Sequence, residues 1–286
     1  MNDGARNYTR REAWWERLQE LATPMDWPAR LVEWAGAVVP VGVQNLDIES
    51  ANALGDATTL RIGFASDFHA GPLTPSRVIA SAIEGLAAAA PDVVLLGGDF
   101  VSFRADYVER VCRPLALLAP PLGIFAVLGN HDRWTGARAV ASALEGAGVV
   151  MLTNRAIRLP APWSGVELLG LDDHQSGYPA LPADMATDGC ARVVLMHAPS
   201  GLLDLGDARF ELALAGHTHG GQIATPSGRP LVLPRGALSR AYSGGLYRVQ
   251  SGGSLLVSRG IGTSGLPFRW NAPAEAHVIT LRHASA

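Results

Sequence analysis

Apolar residues along this chain change rhythm near residue 60. Between residues 10 and 38 they recur at helical spacing: Trp14, Trp15, Leu18 and Leu21, then Leu31, Val32 and Trp34. That spacing predicts one or two amphipathic helices. Pro24 and Pro28 divide them, since proline withholds an amide and stops a helix. Past residue 60, short unbroken apolar runs at 61–66, 92–96 and 123–128 predict strands, while 75–90, 104–118 and 136–147 predict helices. Strands alternating with helices of this length imply right-handed βαβ units and a parallel sheet. Beyond Val149 the runs are brief and punctuated by glycine and proline: 149–153, 166–171, 192–196, 211–215, 230–233, 246–249, 254–257 and 276–282. They predict a second sheet, mixed or mostly antiparallel, packed on the first. With no internal repeat or low-complexity linker, residues 53–286 read as one α/β domain and residues 1–52 as a helical extension.

Composition narrows the chemistry. At 286 residues, 48% of them hydrophobic and 17% charged, the chain can bury a substantial core. Its net charge of −3 argues against nucleic acid as a stable partner. All 23 basic residues are arginine, which excludes P-loop, Schiff-base and pyridoxal chemistry, each of which needs a lysine amine. Cys112 and Cys190 make neither a disulfide framework nor a thiolate zinc site; they suit a reducing compartment, and the expected location is cytoplasmic. No apolar run reaches the roughly 18 residues of a membrane span. Thr9-Arg10-Arg11 is followed by Glu12, Glu16, Arg17 and Glu20, not by the apolar stretch of a cleaved signal. Four of the seven tryptophans lie in the extension. Such helices more often pack on a neighbouring domain; the alternative is peripheral contact with the inner face of a membrane.

Five short polar segments carry the candidate chemistry: Asp67-Phe68-His69, Gly98-Asp99, Gly129-Asn130-His131-Asp132, Met196-His197 and Gly216-His217-Thr218-His219. They hold five of the eight histidines, and all but the last clearly follow a predicted strand. Loops at the carboxyl ends of strands share one edge of an open α/β sheet, so these side chains can converge. Hard oxygen donors with imidazoles are what a pair of divalent cations needs. Asp99 follows the middle of three strands and is the candidate bridge between them. Asp67 and His69, two apart in extended chain, share a face. Singly the segments are weak: Asp-x-His occurs by chance, and a lone His197 after an apolar run is usually a satisfied core residue.

Taken together, in this order, the segments resemble the calcineurin-like metallophosphoesterase superfamily over about residues 60–222. Ser258-Arg259-Gly260-Ile261-Gly262-Thr263-Ser264-Gly265, with Pro267 and Arg269, resembles a bacterial phosphodiesterase branch that includes UDP-2,3-diacylglucosamine pyrophosphatases. The resemblance implies a four-layer α/β/β/α sandwich of two mixed sheets flanked by helices. It implies that Asp67, His69 and His219 hold one divalent metal and Asn130, His197 and His217 a second, with Asp99 bridging. His131 would stand beside the leaving group, with Asp132 orienting its ring. One departure is Ser102, three positions after Asp99, where many members carry an acid.

The expected function is therefore hydrolysis of phosphodiester or pyrophosphate bonds, with a metal-bridging hydroxide as nucleophile. The ligand set suits Mn²⁺, Fe or Zn²⁺ alike. Two alternatives stand: a phosphomonoesterase or protein phosphatase, and a non-catalytic binding scaffold of the same fold. Candidate substrate contacts are His174, in the loop after 166–171, and the guanidinium groups of Arg133 and Arg269, with Arg104 and Arg259 weaker. The tryptophan-rich extension points to an amphiphilic substrate.

Overall fold

The computed structural model describes residues 5–186, 189–249 and 253–284. Two six-stranded sheets lie face to face. The first is ordered β1-β12-β2-β3-β4-β5, from β1 (Gly42–Ser50), β2 (Thr59–Ala65), β3 (Val93–Leu96), β4 (Ile124–Ala126), β5 (Val149–Met151) and β12 (Glu275–His283). The second runs β10-β11-β9-β8-β7-β6, from β6 (Arg155–Arg158), β7 (Val166–Gly170), β8 (Ala191–Leu195), β9 (Leu212–Ala215), β10 (Gly245–Arg248) and β11 (Ser254–Val257). Phe64, Leu95, Val193 and Leu214 belong to the apolar layer between the sheets. Helices α3 (Ser76–Ala89), α4 (Glu109–Leu115) and α5 (Asn130–Gly146) cover the outer face of the first sheet. Over the second sheet the fourth layer is a 3₁₀ turn (Pro199–Asp204) and loops, carrying Leu202, Leu205, Phe210 and Tyr242.

Local sequence explains these elements. In α3 the buried Ile79, Ala82, Ile83 and Leu86 follow the i, i+3, i+4, i+7 stripe of a helix with one inner face. The helix ends where Ala90 turns left-handed and Pro91 follows. β3 and β7 to β9, apolar along their length apart from the Glu167–Arg192 pair, are central and buried on both faces, as parallel strands must be.

The second sheet is mixed, as expected, with a parallel centre, β11-β9-β8-β7, and antiparallel strands only at its edges. The structure departs from the sequence reading at three places. β1 falls inside the segment assigned to the helical extension, yet it pairs along its whole length with β12. As an edge strand with Gln44, Asn45, Asp47 and Glu49 exposed, it lacks a clean apolar alternation. Residues 230–233 form no strand, only a bridge from Pro230 to Ala224, leaving Leu231 and Val232 in solvent. Helix α5 begins at Asn130, with a break at Gly136, so the Asn-His-Asp motif is its first turn.

The extension contributes α1 (Arg10–Ala22) and α2 (Trp27–Trp34). It docks through polar contacts, Asp26 pairing with Arg110 and accepting from Tyr107. Its tryptophans do not form the packing face: Trp14, Trp15, Trp27 and Trp34 are all exposed. Among the described residues, no helix is long and apolar enough to cross a membrane.

Candidate metal centre

Asp67, Asp99 and Asn130 leave the carboxyl ends of β2, β3 and β4, and His197 and His217 those of β8 and β9. Both sheets present these ends to one edge, so seven side chains distant in sequence meet there. Five of them, Asp67, His69, Asp99, His217 and His219, have positive φ. That region is costly for residues with a Cβ and clusters at functional sites. Backbone bonds hold the turns in place: Asp67 N–H donates to Gly98 O at 2.9 Å and His69 N–H to Asp99 O at 2.9 Å. Two glycines give the carboxylates room. A Cβ on Gly216 would overlap Asp67 Oδ2, and one on Gly129 would overlap Asp99 Oδ1.

Three overlapping groups result, one of them joining His131 to His69 and Asp99, and the other two hold the expected ligands. The coordinating atoms of Asp67, His69 and His219 lie within 4.8 Å of one another, as do those of Asp99, His197 and His217. Asp99 Oδ2 is 3.4 Å from His69 Nε2 and 3.3 Å from His197 Nε2, which places it between the two groups. Asn130 Oδ1 is 3.1 Å from His197 Nε2. All seven expected ligands are thus brought together, and all are buried.

The donor set fits a pair of cations. His197 Nδ1 donates to Gly97 O at 2.8 Å and His69 Nδ1 meets Ser102 Oγ at 2.8 Å, so Nε2 of each ring is aimed at the centre. His69 Nε2 and His219 Nε2 face each other at 3.0 Å, two coordinating atoms converging on one point. Ser102, the departure noted in the sequence, is therefore the outer partner of an expected ligand. Burial drops His69 to about 3 and, with His69 and Arg269 adding to it, holds His219 well below the usual imidazole range. Burial pushes Asp67 up to about 6 against the pull of His197. Burial also opposes charge on Asp99 and His197, but their mutual attraction outweighs it, leaving an anion beside an imidazolium. Neutral imidazoles around an anionic bridge are the protonation states metal binding needs, with His197 giving up its proton.

The family is decided by sequence as well as geometry. Residues 60–221, which hold every one of these ligands, match the calcineurin-like phosphoesterase family. The chain belongs to that family. Among calcineurin-like phosphoesterases, it is 34% identical to phosphodiesterase YaeI of Escherichia coli over 178 residues, 60% of this chain and 64% of that protein. It is 31% identical to the uncharacterized metallophosphoesterase YkuE of Bacillus subtilis over 198 residues, 67% of this chain and 68% of that one. The chain thus spans just under two thirds of the E. coli relative's length. Its fold is shared by a dimetal phosphatase from Danio rerio at a TM-score of 0.51 and 10% identity, covering 80% of this chain and 100% of the other.

Around the centre of this calcineurin-like phosphoesterase, the remaining expected residues take varied places. His131 lies at the edge, its ring 4.7 Å from that of His69 and its backbone N–H donating to Asp99 Oδ1 at 2.8 Å. Asp132 does not orient that ring. Its carboxylate accepts from the amides of Phe100 (2.8 Å), Val101 (3.2 Å) and Gly129 (2.9 Å), pinning the two metal-site loops together. The three expected substrate contacts are committed elsewhere: Arg133 to Asp172, His174 to Asp204 at 2.7 Å, and Arg269 to the carbonyls of Gly262 and Ala272 behind His219. None of the three lines the cavity of about 700 Å³ that opens over the centre. Its walls instead include Asn130, His131, Gln175, Trp15, Val232 and Arg235. Gln175 was legible only as a neighbour of His174. The contribution of the extension had no sequence signal, because nothing local tells which face of α1 looks inward.

Proposed function

We propose that this protein is a dinuclear-metal-dependent hydrolase of phosphodiester or pyrophosphate bonds in amphiphilic substrates. The observation that carries the reading is the pair of ligand groups sharing Asp99 at the floor of an open cavity. The E. coli relative's name supports diester chemistry. Two divalent cations held by Asp67, His69, His219 and by Asn130, His197, His217 would supply Lewis acidity and an activated water. Mn²⁺, Fe and Zn²⁺ all suit this ligand set. The chain's own residues do the rest. His131, on the cavity wall, donates a proton to the departing oxygen, and Asp132 keeps its loop against that of Asp99.

Apolar side chains support the substrate class. Trp14, Trp15, Val232 and Leu233 line the same cavity as His131, and Trp14 and Val232 are also 63% and 70% exposed. An apolar wall that reaches solvent can hold the greasy part of a substrate whose phosphate sits at the metals. The same residues, with Trp34 and Leu21, would enter a lipid interface, giving a peripheral position on the cytoplasmic membrane face. Elemental analysis of the purified protein, with hydrolysis of bis-p-nitrophenyl phosphate compared with p-nitrophenyl phosphate, tests the reaction. Preference for the diester in the presence of Mn²⁺ is expected; preference for the monoester would make it a phosphomonoesterase, and no turnover with bound metal a scaffold. Flotation with anionic phospholipid vesicles tests the surface. Trp14→Ser/Trp15→Ser should weaken vesicle binding, and equal flotation of variant and parent would remove the membrane role.

A further inference from the structure

The extension crosses the mouth of the site instead of standing apart from it. At one end Arg6 N–H donates to Ser176 O (3.0 Å) and Asn7 Nδ2 to Gln175 O (2.8 Å). At the other, Gln19 Nε2 donates to Gly265 O (3.1 Å). Helix α1 is strung between these anchors, capped by reciprocal bonds between Thr9 and Glu12. Glu16 faces in, while Trp14 and Trp15 border the cavity mouth and stay more than half exposed.

Glu16 Oε1 lies 3.3 Å from His131 Nδ1. Both atoms are shut off from solvent and neither has a hydrogen-bond partner, so each is left to the other at ion-pair distance, not yet aligned as a hydrogen bond. Glu16 Oε2 accepts from Tyr8 OH at 2.7 Å. Tyr8 in turn stacks on Trp134, with ring centroids 5.2 Å apart, and Trp134 packs against the His131 ring at 4.7 Å. The carboxylate is therefore held on one side by Tyr8, and the imidazole is fixed in place by Trp134. Asp132, the sequence neighbour expected in this role, is occupied by three amides. Among the described residues, no other carboxylate lies within ion-pair distance of the His131 ring.

We propose that Glu16 is the positioning residue for His131, so that the N-terminal helix completes the active site. This rests on the assignment of His131 to the leaving group. Glu16 accepts the Nδ1 proton and so keeps Nε2 as the nitrogen that faces the cavity. His131 enters the step with a proton on each ring nitrogen; as the incoming water oxygen bonds to phosphorus, the P–O bond to the leaving group breaks and its electron pair goes to the departing oxygen, which takes the Nε2 proton. The Nδ1 proton stays with the ring, hydrogen-bonded to Glu16 throughout.

The test is a leaving-group series of aryl and alkyl phosphodiesters with the Mn²⁺-loaded full chain, comparing Glu16→Gln, His131→Ala and the double variant. A poor leaving group needs protonation and p-nitrophenolate does not. Glu16→Gln should therefore lower kcat roughly 10- to 100-fold on the poorest leaving group and only about 3-fold or less on p-nitrophenolate, with KM unchanged. The double variant should be no worse than His131→Ala, because the two act as a unit. Once deprotonated, the His131 ring should also move in ¹⁵N NMR from a single Nδ1–H tautomer to a mixture. Tyr8→Phe, which removes one bond to Glu16 and keeps the ring stack, should give a smaller loss of the same pattern, and serves if Glu16→Gln unfolds α1. A uniform loss across leaving groups, a change in KM alone, or additive losses would overturn the inference. If His131→Ala loses poor leaving groups and Glu16→Gln does not, Glu16 alone is wrongly assigned. If His131→Ala shows no leaving-group dependence, the role of His131 and this inference fall together.

Discussion

Gly216 is in contact with Asp67, and that closeness is what the Gly-His-Thr-His segment requires. An added methyl there would overlap Asp67 Oδ2 and Ser66 Oγ, turning the carboxylate out of the centre. Gly216→Ala is expected to lose bound metal by elemental analysis and to cost about 1–3 kcal/mol in urea unfolding, the usual cost of an overpacked buried site. Asp132→Ala should also destabilise, by about 3 kcal/mol, since it strands three amide donors that its carboxylate now satisfies. Cys112 offers a pH test away from the metals. Burial, with Glu109 adding, pushes its thiol up to about 11 from the ordinary 9.0. The folded state thus binds this proton more tightly than the unfolded chain does. Its contribution to stability is complete below pH 9 and is lost as pH rises from 9 toward 11. Alkylation of native protein at pH 8 should accordingly be far slower than alkylation in denaturant; equal rates would contradict this.

At the scale of elements, the second sheet carries an ion pair that a purely apolar sheet would not need. Glu167 on β7 and Arg192 on β8 are register partners, joined at 2.7 Å and both buried. Arg192 also donates to Arg209 O at 2.7 Å, fastening β8 to the chain that enters β9. Removing one partner leaves the other charge buried, so Glu167→Leu should cost about 3–5 kcal/mol in denaturant unfolding. Glu167→Leu/Arg192→Met should recover much of that loss, because the stranded charge is gone; no recovery would show that the pair does more than neutralise itself. Helix α3 depends on shape alone. Ile83 is fully buried against the first sheet, and Ile83→Ala should cost about 2–5 kcal/mol through lost burial and the cavity left behind.

Over the whole molecule, the centre joins the two sheets. Asp67, Asp99 and Asn130 come from the first and His197, His217 and His219 from the second, with no covalent link between the sheets apart from the chain itself. A cation bound only by the folded arrangement adds stability by mass action, about 2.7 kcal/mol at free metal 100-fold above Kd. Chelation should therefore lower Tm measurably, and the difference should shrink in His217→Ala. Identical melts with and without EDTA would show that the metals do not brace the sheets.

The positions of the candidate ligands were legible along the chain because four of their five segments follow runs too apolar to belong anywhere but the core. Singly, Asp67 and Asp99 could be turn residues and His197 a satisfied core histidine, so it was the five segments in their order that pointed to chemistry. The βαβ half was legible for the same reason, its two periodicities being local properties of sequence. Contacts across long separations were not. Glu16 meets His131, and β1 meets β12, only after the sheets have closed. Arg133, His174 and Arg269 show the converse: a guanidinium or imidazole suits phosphate by type, and which partner it finds depends on neighbours from elsewhere in the fold. Sequence by itself determined which polar segments gather at one sheet edge and the alternation of strands and helices in the first half of the domain. Which face of the N-terminal helix looks at the centre, and which charged groups remain free for substrate, was decided by tertiary packing, because such pairings are set by distance in space.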